Sequence, residues 1–276
     1  MDKLAAYKYT ILIVSILFIL EHRPKRPLVE SKNVGVSSRK LRVSQVAFDL
    51  TLFLVQVFVI SEVMAIVGRL TDKFASSASP IRQALTLNLE SLFPEIPTSI
   101  TFLATAFMFL LSWDFFQYWS HRILHLGSLW TLIHKFHHGS RMYSLTTFRH
   151  HPMEHIFLHV TITIPTSAFY SFIFPTGNYF IFWIGASIQS LMLHSDLYLP
   201  RIPIVSDLLL TPNHHKIHHD VRRPRSVNFG QYFTIWDRIF GTYANPYQIE
   251  LTTISTGFDH PFRENISQLL TNRGRN

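Results

Sequence analysis

The chain has 276 residues and a formal charge of +8; 47% of its residues are hydrophobic and only 15% are charged. A nucleic-acid-binding domain carries its basic residues on an otherwise polar chain, so a chain this apolar and this basic reads as a membrane protein. Cysteine is absent, which excludes disulfides and thiolate metal ligands.

Five apolar stretches follow one another, at 5–20, 43–67, 96–113, 156–174 and 179–193. Most approach the ~20 residues that cross a bilayer core. The first ends in Glu21, His22 and Arg23 with no small-residue cleavage site, so it reads as an anchor and not a cleaved signal. The second carries Asp49, Gln56 and Glu62, and therefore turns one side to protein or sets its ends among headgroups. Pro175, Thr176, Gly177 and Asn178 separate the last two, a turn short enough for an antiparallel hairpin.

Seven Lys and Arg residues between Arg23 and Arg42 place that loop in the cytoplasm. Counting crossings from there returns Arg201, Lys216, Arg222, Arg223 and Arg225 to the same side, together with every histidine-dense stretch. The expectation is an all-α integral membrane fold. A bundle of about four to five transmembrane helices would carry a cytoplasmic helical cap that holds the histidine boxes. One domain covers 1–276: membrane segments 1–95, a histidine-box region 96–245 and a tail 246–276.

Three boxes carry the chemistry. HRILH sets His121 and His125 at i, i+4; HKFHH sets His134, His137 and His138 at i, i+3, i+4. Between them, Gly127 suits the end of one helix and Ser128 the cap of the next. In TPNHHKIHHD, Thr211 is a good N-cap and Pro212 a good first helical residue, so His215, His218 and His219 share a helical face. His214 is also four residues from His218, which leaves open which of His214 and His215 points inward.

At a histidine frequency of roughly 6%, random order yields about one HxxxH but only ~0.05 HxxHH. Two HxxHH boxes are therefore a signal. His194, at the end of the fifth apolar stretch, is an ionisable residue at a membrane boundary and a functional candidate by default. Eight or nine imidazoles exceed what one ion takes, so two metals are implied. The HExxH pattern and the paired Glu-x-x-His of carboxylate di-iron bundles are missing. A nitrogen-rich dinuclear site suits iron in oxygen chemistry, and zinc fits the same ligands.

If one helix runs from Thr98 to His125, Trp113 lies roughly 12 Å before His121, which hangs the site just beneath the bilayer surface. Asp114, two turns before His121, reads as orienting a ligand directly or through Tyr118. His155 and His159 read as packed or interfacial, and His22 and His260 as surface residues.

Over residues 100–245 the chain resembles the fatty acid hydroxylase and sterol desaturase superfamily of integral-membrane di-iron enzymes. HRILH, HKFHH and HHKIHH fit its three boxes; FRHHPMEH fits its R-x-H-P-x-E element, HSDLYLP its H-x-x-x-x-L-P element, and NFGQYFTIWDRIFGTY its N-x-G and W-D-R-x-F-G-T ending. The first hundred residues add only membrane segments.

The resemblance implies that O2 and two reducing equivalents hydroxylate or desaturate a lipid carbon, the lipid being a sterol, fatty acyl chain or ether lipid. It implies as metal ligands His121, His125, His134, His137, His138, His215, His218 and His219, with His194 as a ninth. His151 takes the R-x-H-P position as a ligand or behind one, and Asn228 and Asp237 support the site. The nearest members are bacterial sterol-desaturase-like and alkylglycerol-monooxygenase-like proteins, although Leu126 stands where the latter carry Glu.

No HPGG haem signature or dinucleotide fingerprint is present, so electrons come from outside: a b-type cytochrome, a ferredoxin or a reductase. The membrane is the bacterial inner membrane or the endoplasmic reticulum. Two other classes fit parts of the pattern. A zinc-dependent lipid hydrolase would use Glu154 as its base, and a histidine-rich metal transporter would line a crossing path.

Overall fold

The computed structural model describes residues 15, 43–56, 98–139, 142–166, 179–222, 226–249 and 254–257. The first apolar stretch (Ser15 apart), the basic loop at 21–42, Glu62, the turn at 175–178 and the tail beyond 257 lie outside the described residues. Among the described residues every regular element is a helix, joined by two isolated bridges, Leu209 with Phe233 and Asp220 with Thr256.

α1 is Val43–Val55 and α2 is Thr98–Leu124. α3 begins as Gly127–Leu129, widens into a π turn at Trp130–His134 and closes as Lys135–His138. A 3-10 turn at Ser144–Phe148 leads to α4, Pro152–Leu158, which continues through a second π turn, His159–Thr163. Then come α5 (Tyr179–His194), α6 (Val205–Leu208), α7 (Pro212–His218), α8 (Ile235–Ile239) and a 3-10 turn at Pro246–Gln248.

The boundaries follow from local chemistry. His151 caps α4 by accepting the Met153 N–H on Nδ1 at 3.2 Å, and Pro152 fills the first helical position, where its missing N–H is not needed. α7 likewise begins with a proline, Pro212, and His214 reaches back to accept the Thr211 N–H on Nδ1 at 3.2 Å.

The junction of α2 and α3 differs from expectation. Ser128 is not the cap: α3 starts one residue earlier, with Leu126 extended before it (φ −98°, ψ 132°) and no side-chain cap. Gly127 makes the reversal at φ +48°, where a Cβ would meet nothing within 4 Å, so the requirement is backbone conformation and not space.

No helix among the described residues is long and apolar enough to cross a membrane. α5 has 16 residues, as does the apolar part of α2 at 98–113, about 24 Å each against a hydrocarbon core of about 30 Å. The remainders of the expected segments, at 57–67 and 167–174, lie outside the described residues.

The polarity pattern is nevertheless inverted. Leu50 and Leu54 of α1, Ile100, Leu103 and Phe107 of α2, and Ile156 and Val160 at and after α4 are exposed, whereas among the described residues polar and charged side chains outnumber apolar ones in the buried set. Asp49 is fully buried, which places it on the protein-facing side of α1, as the second apolar stretch suggested.

Candidate dimetal centre

Four elements deliver the histidines. The last turn of α2 presents His121 and the turn residue just after it His125; α3 presents His134, His137 and His138; α5 ends on His194; and α7 with its C-cap presents His215, His218 and His219. They sort into two groups: His121, His125, His134, His138 and His218 in the first, and His137, His194, His215 and His219 in the second. Within each group one nitrogen per ring lies within 4.8 Å of all the others.

Each HxxHH box divides between the two. In α3 the i, i+4 pair, His134 and His138, joins the first group and the i+3 residue, His137, the second; in α7 His215 and His219 join the second and His218 the first. At about 100° per residue, i+4 sits roughly 40° to one side of i and i+3 roughly 60° to the other. One short helix therefore serves two adjacent centres. His138 and His219, from opposite groups, stack at 4.1 Å between ring centroids.

The far side of most rings is held. In the first group, Nδ1 of His121 faces the Phe229 carbonyl at 2.9 Å, that of His218 the Val227 carbonyl at 2.8 Å, that of His125 the Ser226 hydroxyl at 2.8 Å and that of His134 the Glu154 carboxyl at 2.7 Å. Nε2 of His125, His134, His138 and His218 is buried with no partner. Burial holds His121 and His134 down at about 3 and pushes the Glu154 carboxyl up to about 7. Burial thus favours a neutral His134 imidazole, and with its Nδ1–H donated to the Glu154 carboxyl the Nε2 lone pair points inward.

The second group gives a sharper test. His194 Nδ1 faces the Ser190 carbonyl at 2.7 Å and His137 Nδ1 faces the Arg149 carbonyl at 3.3 Å. Carbonyls only accept, so both rings carry their proton on Nδ1 and a lone pair on Nε2. Those two Nε2 atoms stand 3.0 Å apart, with His215 Nε2 another 3.0 Å from His194 and His219 Nε2 3.2 Å from His215. Opposed lone pairs repel at that distance unless a cation lies between them, and burial disfavours a proton there. Two metal–imidazole bonds of ~2.1 Å at a right angle separate their nitrogens by about 3.0 Å. The donor set fits two bound metals.

The surrounding motifs build this placement. Asn213 donates from Nδ2 to the Leu199 carbonyl at 2.6 Å and accepts the Leu199 N–H at 3.3 Å, tying HSDLYLP, and with it His194, to α7. Lys216 pairs with Asp196 at 2.9 Å. Asn228, at φ +56°, bridges the His214 and Ala244 carbonyls, and Asp237 accepts the Phe229 and Gly230 N–H groups at 2.8 and 3.0 Å. A Cβ on Gly230 would lie 2.7 Å from Leu210 Cδ1 and 2.8 Å from the Phe233 carbonyl, so only glycine fits. Together these hold the Phe229 and Val227 carbonyls against His121 and His218.

Several expectations change. Asp114 orients no imidazole directly and does not act through Tyr118: it accepts the N–H groups of Gln231, Tyr232 and Phe233 at 2.6, 2.7 and 3.0 Å, steadying the segment that carries Phe229. The Tyr118 hydroxyl meets Thr242 instead. Three backbone donors in a row outcompete a side chain for a buried carboxylate. His151 is the cap of α4 and belongs to neither group. His214 turns away, bonding back to Thr211 at 2.8 Å, so His215 is the inward residue.

Other neighbours were not anticipated. His150 stacks on His137 (4.8 Å, 8°), with His155 5.3 Å beyond. The Ser226 hydroxyl reaches His125 across a separation no spacing rule covers.

Residues 106–242 match the fatty acid hydroxylase family. The chain is 35% identical over 144 residues to Delta(7)-sterol 5(6)-desaturase ERG3A of Gibberella zeae, covering 51% of this chain and 38% of that protein. It is 35% identical over 156 residues to sphinganine C4-monooxygenase 2 of Arabidopsis thaliana (55% and 59%) and 32% identical over 158 residues to alkylglycerol monooxygenase of Danio rerio (54% and 31%). The matched stretch spans about two fifths of the first of these and three fifths of the second. No solved structure matches.

Proposed function

Because the chain belongs to the fatty acid hydroxylase superfamily, a family of membrane di-iron lipid hydroxylases and desaturases, we propose that it uses O2 to oxidise a C–H bond of a membrane lipid. Hydroxylation and desaturation are both open to such a site, on a sterol, fatty acyl or ether lipid. The observation that supports this reading most is the pair of Nε2 lone pairs of His137 and His194 opposed at 3.0 Å.

In this proposal the nine histidines of the two groups are the ligands of two irons, which when bound supply the O2-dependent redox chemistry. The protein's own residues do the rest. Glu154, Ser226 and the carbonyls of Arg149, Ser190, Val227 and Phe229 hold Nδ1 of six of the nine rings, those of His121, His125, His134, His137, His194 and His218, from the outer side. Burial keeps the imidazoles neutral and the site dry. His151, Asp114 and Asn228 support the scaffold.

The exposed apolar side chains of α1, α2 and α4 support immersion of one end of a single domain in the bilayer. The Lys and Arg residues at 23–42 and 201–225 of the sequence support a cytoplasmic side for the histidines, in a bacterial inner membrane or the endoplasmic reticulum. Electrons arrive from a separate donor: a b-type cytochrome, ferredoxin or reductase.

A zinc hydrolase reading loses support, because the Glu154 carboxyl that would serve as its base holds His134 from behind. The experiment is a lipid profile of host cells expressing the wild type or His219→Ala, grown with and without O2. A hydroxylated or newly unsaturated lipid that needs both O2 and His219 is expected. A product that persists anaerobically would overturn the proposal in favour of hydrolysis.

A further inference from the structure

α1 lies outside the stretch that matches the family, yet its Asp49 grips Arg149, whose carbonyl faces the second histidine group. Asp49 is fully buried. Its Oδ1 accepts from Arg149 Nε at 2.8 Å and pairs with Arg149 Nη2 at 2.7 Å, and its Oδ2 accepts from the Tyr143 hydroxyl at 2.7 Å.

Arg149 is itself 1% exposed, with its guanidinium 5.1 Å from the Phe48 ring of α1 and 5.6 Å from that of Phe136. Phe136 sits in α3 directly before His137. The Arg149 carbonyl is the group that faces His137 Nδ1.

Resting on the reading that the second group holds a metal, we propose that Asp49 is a positioning residue for that metal: its carboxylate pins Arg149, and the Arg149 carbonyl sets the orientation and tautomer of His137. A buried guanidinium that loses its counterion must move toward water or another acceptor, and its own backbone moves with it. At 3.3 Å the His137 bond is already long, so a small shift releases it. Without an acceptor at Nδ1, His137 is free to place its proton on Nε2, and a protonated Nε2 cannot ligate. The helix before the family match is on this account part of the centre.

The test titrates the full chain, purified in detergent and stripped of metal by chelation, with Co2+ followed by absorption and calorimetry. The wild type should bind in two steps. Asp49→Asn should weaken one step about 10- to 100-fold and leave the other unchanged. Phe53→Ala removes a ring of the same helix that packs 4.6 Å from Phe148 without touching the ion pair. It should lower the melting temperature and leave both steps at wild-type strength.

If Asp49→Asn cannot be purified folded, Tyr143→Phe, which removes one bond to the carboxylate, should weaken the same single step by a smaller factor. Wild-type affinities in the Asp49 or Tyr143 variant, equal weakening of both steps, or the same loss in Phe53→Ala would each overturn the proposal. A wild type that binds no cobalt would remove the metal reading itself, and this inference with it.

Discussion

The two histidine groups are built alike and supported differently. Behind the first stand two side chains, Glu154 and Ser226, along with the Val227 and Phe229 carbonyls; behind the second, both identified supports are backbone carbonyls, of Arg149 and Ser190. A side-chain support can be removed by one substitution. A carbonyl cannot, and responds only to what holds its backbone. The first centre should therefore be adjustable at its own neighbours and the second only from a distance.

Ligand removal gives the largest effect and applies to both. His218→Ala should strip the first centre and His137→Ala the second, each abolishing turnover; retention of both metals in either variant, measured by elemental analysis, would break the assignment of groups. Next come the supports. Glu154→Ala should weaken metal binding at the first centre about 10- to 100-fold, with Glu154→Gln recovering part of it because an amide oxygen still accepts from Nδ1. Ser226→Ala, which removes a neutral hydroxyl, should cost less than Glu154→Ala. Equal losses would show that the carboxylate has no special role.

Acid should act on both groups together. Folded pKa values of about 3 for His121 and His134 against about 6.5 unfolded mean that the unfolded chain binds more protons between those limits. Stability of the metal-free protein is therefore complete above about pH 6.5 and lost as pH falls toward 3. Buried carboxyls such as Glu154 oppose this, and the histidines outnumber them. Melting temperatures at two pH values on either side of 6 should show the lower value at the lower pH; the reverse order would contradict the burial.

Smaller still are effects on the scaffold shared by both centres. Gly230→Ala should destabilise by about 1–3 kcal/mol through its contacts with Leu210 and the Phe233 carbonyl. His214→Ala should cost about 1 kcal/mol from the lost capping box and leave metal content unchanged, as read by thermal melts.

What was legible in the sequence divides along the same line. All nine histidines of the two groups could be read from spacing, resemblance and the position of His194, because i, i+3, i+4 repeats are local and rare by chance. Their division between two centres was not legible, since i+3 and i+4 look equivalent until a second helix is set against them. Asp114 misled because its helical spacing from His121 said nothing of the three N–H groups that arrive from residues 231–233. Asp49 was visible as a charge in an apolar stretch, but its partner Arg149 lies a hundred residues away, and no periodicity reports a contact at that separation. Ser226 carried no local signal at all, and in FRHHPMEH the signal fell on His151 and not on its neighbour His150.

The most direct test is the metal content of the detergent-purified full chain beside His137→Ala and His218→Ala. The account predicts about two irons per chain in the wild type and the loss of a different one in each variant, with the remaining ion distinguishable by Mössbauer spectroscopy. One ion in the wild type, or the same ion lost from both variants, would contradict the existence of two separately built centres.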